Sequence, residues 1–131
     1  MNMNKVVLSC FLIIMITLFH GCESPWEGEC ESDLAAPIVE VAVQDTVDLG
    51  SSIPMKIQIA NGCGNFSYIK TVRDGNIIYV YPMAKYVGCV CAQAIKEQTV
   101  NYALNLGSAG DYTFQFFTTN GAFLTENVYV R

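Results

Sequence analysis

The sequence predicts an all-β fold, a β-sandwich of seven to eight short strands, over residues 38–131. Three observations carry that expectation. Apolar residues recur at every second position in several runs, as strands with one buried face require. Turn signals rich in Gly, Asn and Asp separate the runs at about the spacing of a sandwich. No sustained helical period competes, apart from a brief stretch at residues 92–97.

The first run places Val39, Val41 and Val43 on one face and Glu40, Ala42 and Gln44 on the other. Val47 and Leu49 follow, closed by Gly50. Met55, Ile57 and Ile59 then alternate with Lys56 and Gln58 and stop at Asn61-Gly62. Residues 68–72 and 77–81 flank Asp74-Gly75, a dipeptide that tolerates the positive φ of tight hairpin turns. Val100, Tyr102, Leu104 and Leu106 form another alternating set, and residues 111–118 and 123–130 flank a turn at Asn120-Gly121. The roughly 95 residues available suffice for one such domain.

Gly110-Asp111-Tyr112 resembles the Gly-x-Tyr corner of immunoglobulin-like and fibronectin-like domains. The resemblance implies that the Tyr112 hydroxyl ties back to the preceding crossover. The alternative is an ordinary hairpin with a core tyrosine. Trp26 is the only tryptophan and lies ahead of the strands, so an antibody-type Cys-Trp-Cys core is excluded.

Ahead of the domain, residues 1–5 carry one positive charge and residues 6–19 are almost unbroken apolar. That run falls short of the ~20 residues that span a bilayer and has signal-peptide length. Leu18-Phe19-His20-Gly21-Cys22 resembles the lipobox of bacterial lipoproteins, with Phe19 and His20 departing from the usual filling. Looser boxes of this kind are similar to those of Bacteroidota. The resemblance implies a signal peptide over residues 1–21, removed to leave diacylated Cys22, with a third, palmitate-type chain on the new amino terminus. The competing reading is an ordinary secretory signal with Cys22 a bystander.

Residues 22–37 read as a solvated acidic tether, with Glu23, Glu27, Glu29, Glu31 and Asp33 and no base. The stretch also resembles the signal that sends Bacteroidota lipoproteins to the cell surface. The expected location is therefore the cell envelope, at the outer membrane and exposed on the surface. Removal of Lys5 leaves six basic against twelve acidic residues, a net charge of −6. Such a chain, lacking a basic cluster, is a poor partner for nucleic acid or for anionic lipid headgroups.

Loss of residues 1–21 also removes His20, the only histidine. Ser-His-Asp or Cys-His catalysis and histidine-ligated metals then cannot be assembled, and no phosphate loop or zincin motif is present. Acids beyond the tether fall singly. The expectation is a non-enzyme with no cofactor.

With Cys10 lost and Cys22 acylated, Cys30, Cys63, Cys89 and Cys91 remain, an even number that favours two disulfides in an exported chain. Cys89 and Cys91 on an extended strand would stand about 6.5 to 7 Å apart, too far for relaxed pairing, so they should reach separate partners. Cys63 is expected to join one of them and Cys30 the other. A Cys30 bridge would leave seven residues between Cys22 and Cys30. The alternative reading of Cys-Val-Cys is a thiol-based metal or redox centre on Cys89 and Cys91.

Tyr79, Tyr81 and Tyr86 form a candidate binding surface. Tyr79 and Tyr81 share one strand face, opposite Ile78 and Val80, and point outward if the aliphatic side is core. The alternative reverses the faces or makes Pro82 the mark of an edge strand. Asp45-Thr46-Val47 is similar to the short O-glycosylation acceptor of exported Bacteroidota proteins, which makes Thr46 a candidate.

The whole chain resembles the small immunoglobulin-like lipoproteins of Bacteroidota, for which no activity is implied. The function expected is a membrane-anchored binding or adhesion module with a protein or glycan ligand. Its rivals are the thiol-based centre and a structural accessory or inhibitor subunit of an envelope complex.

Overall fold

A computed structural model describes residues 30–131. The signal peptide, the lipobox with Cys22, and most of the tether lie outside the described residues. Nine strands occur among those described: β1 (Glu31–Ala35), β2 (Ile38–Val41), β3 (Thr46–Val47), β4 (Ser52–Ile59), β5 (Gly64–Asp74), β6 (Ile77–Val87), β7 (Lys96–Ala103), β8 (Gly110–Phe117) and β9 (Phe123–Val130). A single 3-10 turn at Thr119–Gly121 joins β8 to β9. Residues 92–97, the one helical candidate, are instead loop and the start of β7.

The strands form a β-sandwich that fits a small immunoglobulin-like domain. One sheet runs β1-β6-β8-β9-β3 with β5 on the other edge of β6, and the second runs β2-β4-β7. Strand β7 leaves the large sheet for the small one, and the chain returns as β8 to lie parallel to β6, Ile77 against Thr113 and Val80 against Phe116. Between the sheets lie Ile53, Met55, Ile57 and Ile59 from β4, facing Ile78 and Val80 from β6 and Phe114 and Phe116 from β8. The alternating apolar sets predicted for β4 and β7 point into this space, as do Tyr112, Phe114 and Phe116 of β8 and Val128 and Val130 of β9.

Two differences from the sequence reading have local causes. In β2 the pairing slips between Ile38 and Glu40, a bulge that turns Ile38 inward and leaves Val39 outside. One inserted residue flips every later side chain, so Val39 parts company with Val41 and Val43. In β1 the stretch expected to end as tether is a strand paired with β6, from Glu31 against Val87 to Ala35 against Met83. Main-chain pairing and an ion pair between Glu31 and Lys85 hold it, and the exposed Glu31, Ser32, Asp33 and Leu34 show no alternation in the sequence. The sandwich therefore begins by Glu31, not at residue 38.

The β5–β6 hairpin closes with Asp74 against Ile77 around Gly75 and Asn76, and Gly75 has φ +59°. A glycine at the first loop position meets the positive φ that a two-residue connection needs. Pro82 does not mark an edge. Its carbonyl accepts from Ala36 N at 2.7 Å, so its nitrogen faces the same side, where the neighbour of β6 changes from β8 to β1. A missing donor costs little at that changeover. At the far edge, a second bulge at Phe66 frees its N–H, which donates to Gln98 Oε1 on β7 at 3.0 Å.

Candidate functional site

Alternation on β6 decides the orientation of the tyrosines. Ile78 and Val80 are fully buried, so Tyr79 and Tyr81 stand on the outward face of the large sheet, half-buried. They are covered in part by rings that the sequence reading missed. Tyr79 meets Phe123 edge-on at 5.6 Å between centroids, Tyr81 meets Phe123 at 5.8 Å and Phe117 at 5.7 Å, and Phe117 meets Phe123 at 6.2 Å. These separations and mostly steep angles suit the aromatic quadrupole.

Phe117 and Phe123 are direct cross-strand partners at the end of the β8–β9 hairpin. The turn that brings them opposite has positive φ at Asn120 and Gly121, and Thr118 N donates to Ala122 O at 2.9 Å. A signal for them existed. On β8 the inward set is Tyr112, Phe114 and Phe116, so Phe117 is an aromatic residue among the outward Thr113 and Gln115. The result is a four-ring patch on an open sheet face, with Gln115 beside Tyr79 and Lys70 opposite Tyr81.

Tyr86 does not belong to this surface. It lies five residues from Tyr81, an odd number that puts it on the opposite face of the strand. The ring is buried, and its hydroxyl accepts a hydrogen bond from Ala60 N at 3.1 Å. Directly across the hairpin from it stands Gly64. A β-carbon there would collide with the Tyr86 ring and approach Ile59 Cγ2 to 2.6 Å, so the ring occupies the space that glycine leaves.

The disulfides are Cys30–Cys89 and Cys63–Cys91, one of the two arrangements expected. The Cys63 turn is shaped by Asn61, whose Oδ1 accepts from Cys63 N at 3.0 Å, and Gly62 N donates to Ala92 O at 2.8 Å. All four sulfurs are thus engaged in disulfides. Among the described residues no group of three or more His, Cys, Asp or Glu could hold a metal ion.

The corner at Tyr112 has the expected form: its buried hydroxyl donates to Ser108 O at 2.8 Å and lies 3.2 Å from Ser108 Oγ. Thr46 is exposed on β3, paired alongside Tyr129 at the edge of the large sheet. Between the free edges of β5 and β7 runs an open groove of about 330 Å³ lined by Phe66, Ile69, Thr71, Asn101 and Tyr102. It holds no ionisable pair suited to acid–base work. No described helix is long and apolar enough to cross a membrane.

Comparison with curated proteins and with solved structures finds no match. The family model of the ORF11 beta-sandwich domain matches residues 53–130, from the first core residue of β4 to the last of β9. That span is more than half of the chain and contains both the aromatic patch and the tyrosine corner, so the chain belongs to the ORF11 beta-sandwich domain family.

Proposed function

We propose that the protein is a bacterial, Bacteroidota-type lipoprotein, anchored in the cell envelope through lipid on Cys22, whose sandwich serves as a non-enzymatic binding or adhesion module. The observation that carries the binding role is the patch of Tyr79, Tyr81, Phe117 and Phe123. Four aromatic side chains on the outer face of a sheet supply large contact area at low entropic cost. Gln115 and Lys70 beside them offer the polar contacts that orient a protein or glycan ligand. The non-enzymatic part is supported by the lack of any histidine other than His20. The anchoring part is supported by the Gly21-Cys22 motif and the acidic residues after it.

Two measurements test the reading. Intact mass of the detergent-extracted protein should report a chain beginning at Cys22 and carrying acyl groups; an unacylated chain with another start would overturn the anchor. A photo-crosslinker at Tyr81 in intact cells should capture one ligand that a crosslinker at Thr99, exposed on the outer face of the small sheet, does not. Phe123→Ala should abolish that capture. Equal labelling from both positions would count against the patch.

A further inference from the structure

Residues 87–95 contain no charged side chain, and three of them, Val87, Val90 and Ile95, are 57%, 95% and 66% exposed. One open valine is ordinary on a protein surface, but a continuous uncharged loop with three exposed branched residues is a patch that calls for cover. The loop cannot fold down over them. Cys89 is bonded to Cys30 and Cys91 to Cys63, Gly88 N donates to Cys30 O at 2.8 Å, and Gly62 N donates to Ala92 O at 2.8 Å. Val90, between the two bridged cysteines, is held outward by covalent geometry.

What covers the loop is indicated by where the chain enters the domain. The Cα atoms of Cys30 and Cys89 are 4.9 Å apart, and Cys22 precedes Cys30 by eight residues. Eight residue steps reach at most about 28 Å in any conformation. The 11 residues of β6 extend about 36 Å away from this end, so the loop lies at the end of the fold where the chain from Cys22 enters.

We propose that the loop of residues 87–95 rests in the interfacial layer of the bilayer that holds Cys22; this inference rests on the lipoprotein reading above. The charges flanking the loop are taken up within the domain: Lys85 is ion-paired with Glu31, and Lys96 donates to Asn65 Oδ1 at 3.2 Å. The opposite end of the sandwich, where β6 begins, carries Arg73, Asp74 and Asp111 and so presents charge where the loop presents none.

The test uses acylated full-length protein reconstituted into vesicles of phosphatidylethanolamine and phosphatidylglycerol, part of which carries brominated acyl chains. Trp26, the only tryptophan, is replaced by Phe, and a reporter is introduced as Val90→Trp, as Ile95→Trp, or at the far hairpin as Asn76→Trp. All three sites are exposed, so the domain should tolerate them. Emission from the Val90→Trp and Ile95→Trp proteins should shift to the blue and be quenched several-fold more strongly by the brominated lipid than emission from Asn76→Trp. Equal emission and quenching at the three positions, in protein whose mass shows acylated Cys22, would overturn the loop placement and leave the anchor standing. Unacylated Cys22 would overturn both.

Discussion

Single hydroxyl groups hold two tyrosines against the main chain. Tyr112 donates to Ser108 O, so Tyr112→Phe should lower the unfolding free energy by about 1 kcal/mol, measured by urea denaturation. Tyr86→Phe removes the acceptor of Ala60 N and should cost about 1 to 3 kcal/mol because a partly buried donor is left unpaired. Tyr102 provides a pH signature. Burial pushes its phenol above the ordinary value of 10.0, because the phenolate is poorly solvated there. The folded protein therefore keeps this proton to higher pH than the unfolded chain. Its contribution is intact below the unfolded value and disappears as pH rises through the folded one. Stability should fall more steeply above pH about 10 in the wild type than in Tyr102→Phe, read as urea midpoints. Lys56, whose pKa is raised chiefly by its hydrogen bond to Glu40, titrates in the same alkaline direction but is present in both proteins, so the comparison isolates Tyr102.

At the scale of the element, legibility in the sequence followed the cause of burial. Strand β4 was readable because Ile53, Met55, Ile57 and Ile59 are buried on one face and the other face is polar. Strand β1 was not, because main-chain pairing, a disulfide and the Glu31–Lys85 ion pair hold it without an alternating apolar set. Val39 was misplaced because a bulge leaves no mark in a run of valines. Of the candidate surface, alternation put Tyr79 and Tyr81 on one face and left open which face is outward. Tyr86 was grouped with them by proximity in sequence although parity opposes it. Phe117 and Phe123 escaped notice because a patch built from two hairpins is visible only when the strands are side by side. The bridges offer an element-level test. The Cys63–Cys91 separation of 28 residues implies that replacing both by Ser should cost about 3 to 4 kcal/mol, measured by denaturant titration under non-reducing conditions.

The whole molecule is asymmetric: a six-stranded sheet faces a three-stranded one, and β5 pairs only with β6 along its eleven residues. A long open edge of this kind invites pairing with another chain, and charge is a common guard against it. Lys70 and Arg73 provide that charge on β5. The Lys70→Val, Arg73→Val double variant should self-associate at concentrations where the wild type scatters no light beyond that of a monomer. Unchanged scattering would show that the edge is protected by other means, such as the Gln98 contact at Phe66.

The two disulfides interlace: along the chain the first cysteine of the domain pairs with the third and the second with the fourth. That order bears on biogenesis. On the proposed export route, a polypeptide entering an oxidising compartment amino-terminus first presents Cys30 and Cys63 before either native partner arrives, and oxidation at that moment makes a bridge the finished sandwich lacks. Maturation then depends on thiol–disulfide exchange, which proceeds only while a free thiolate is available to attack the wrong bond. An oxidase alone should accumulate the misbridged form in a cell, and a disulfide isomerase should set the yield of native protein.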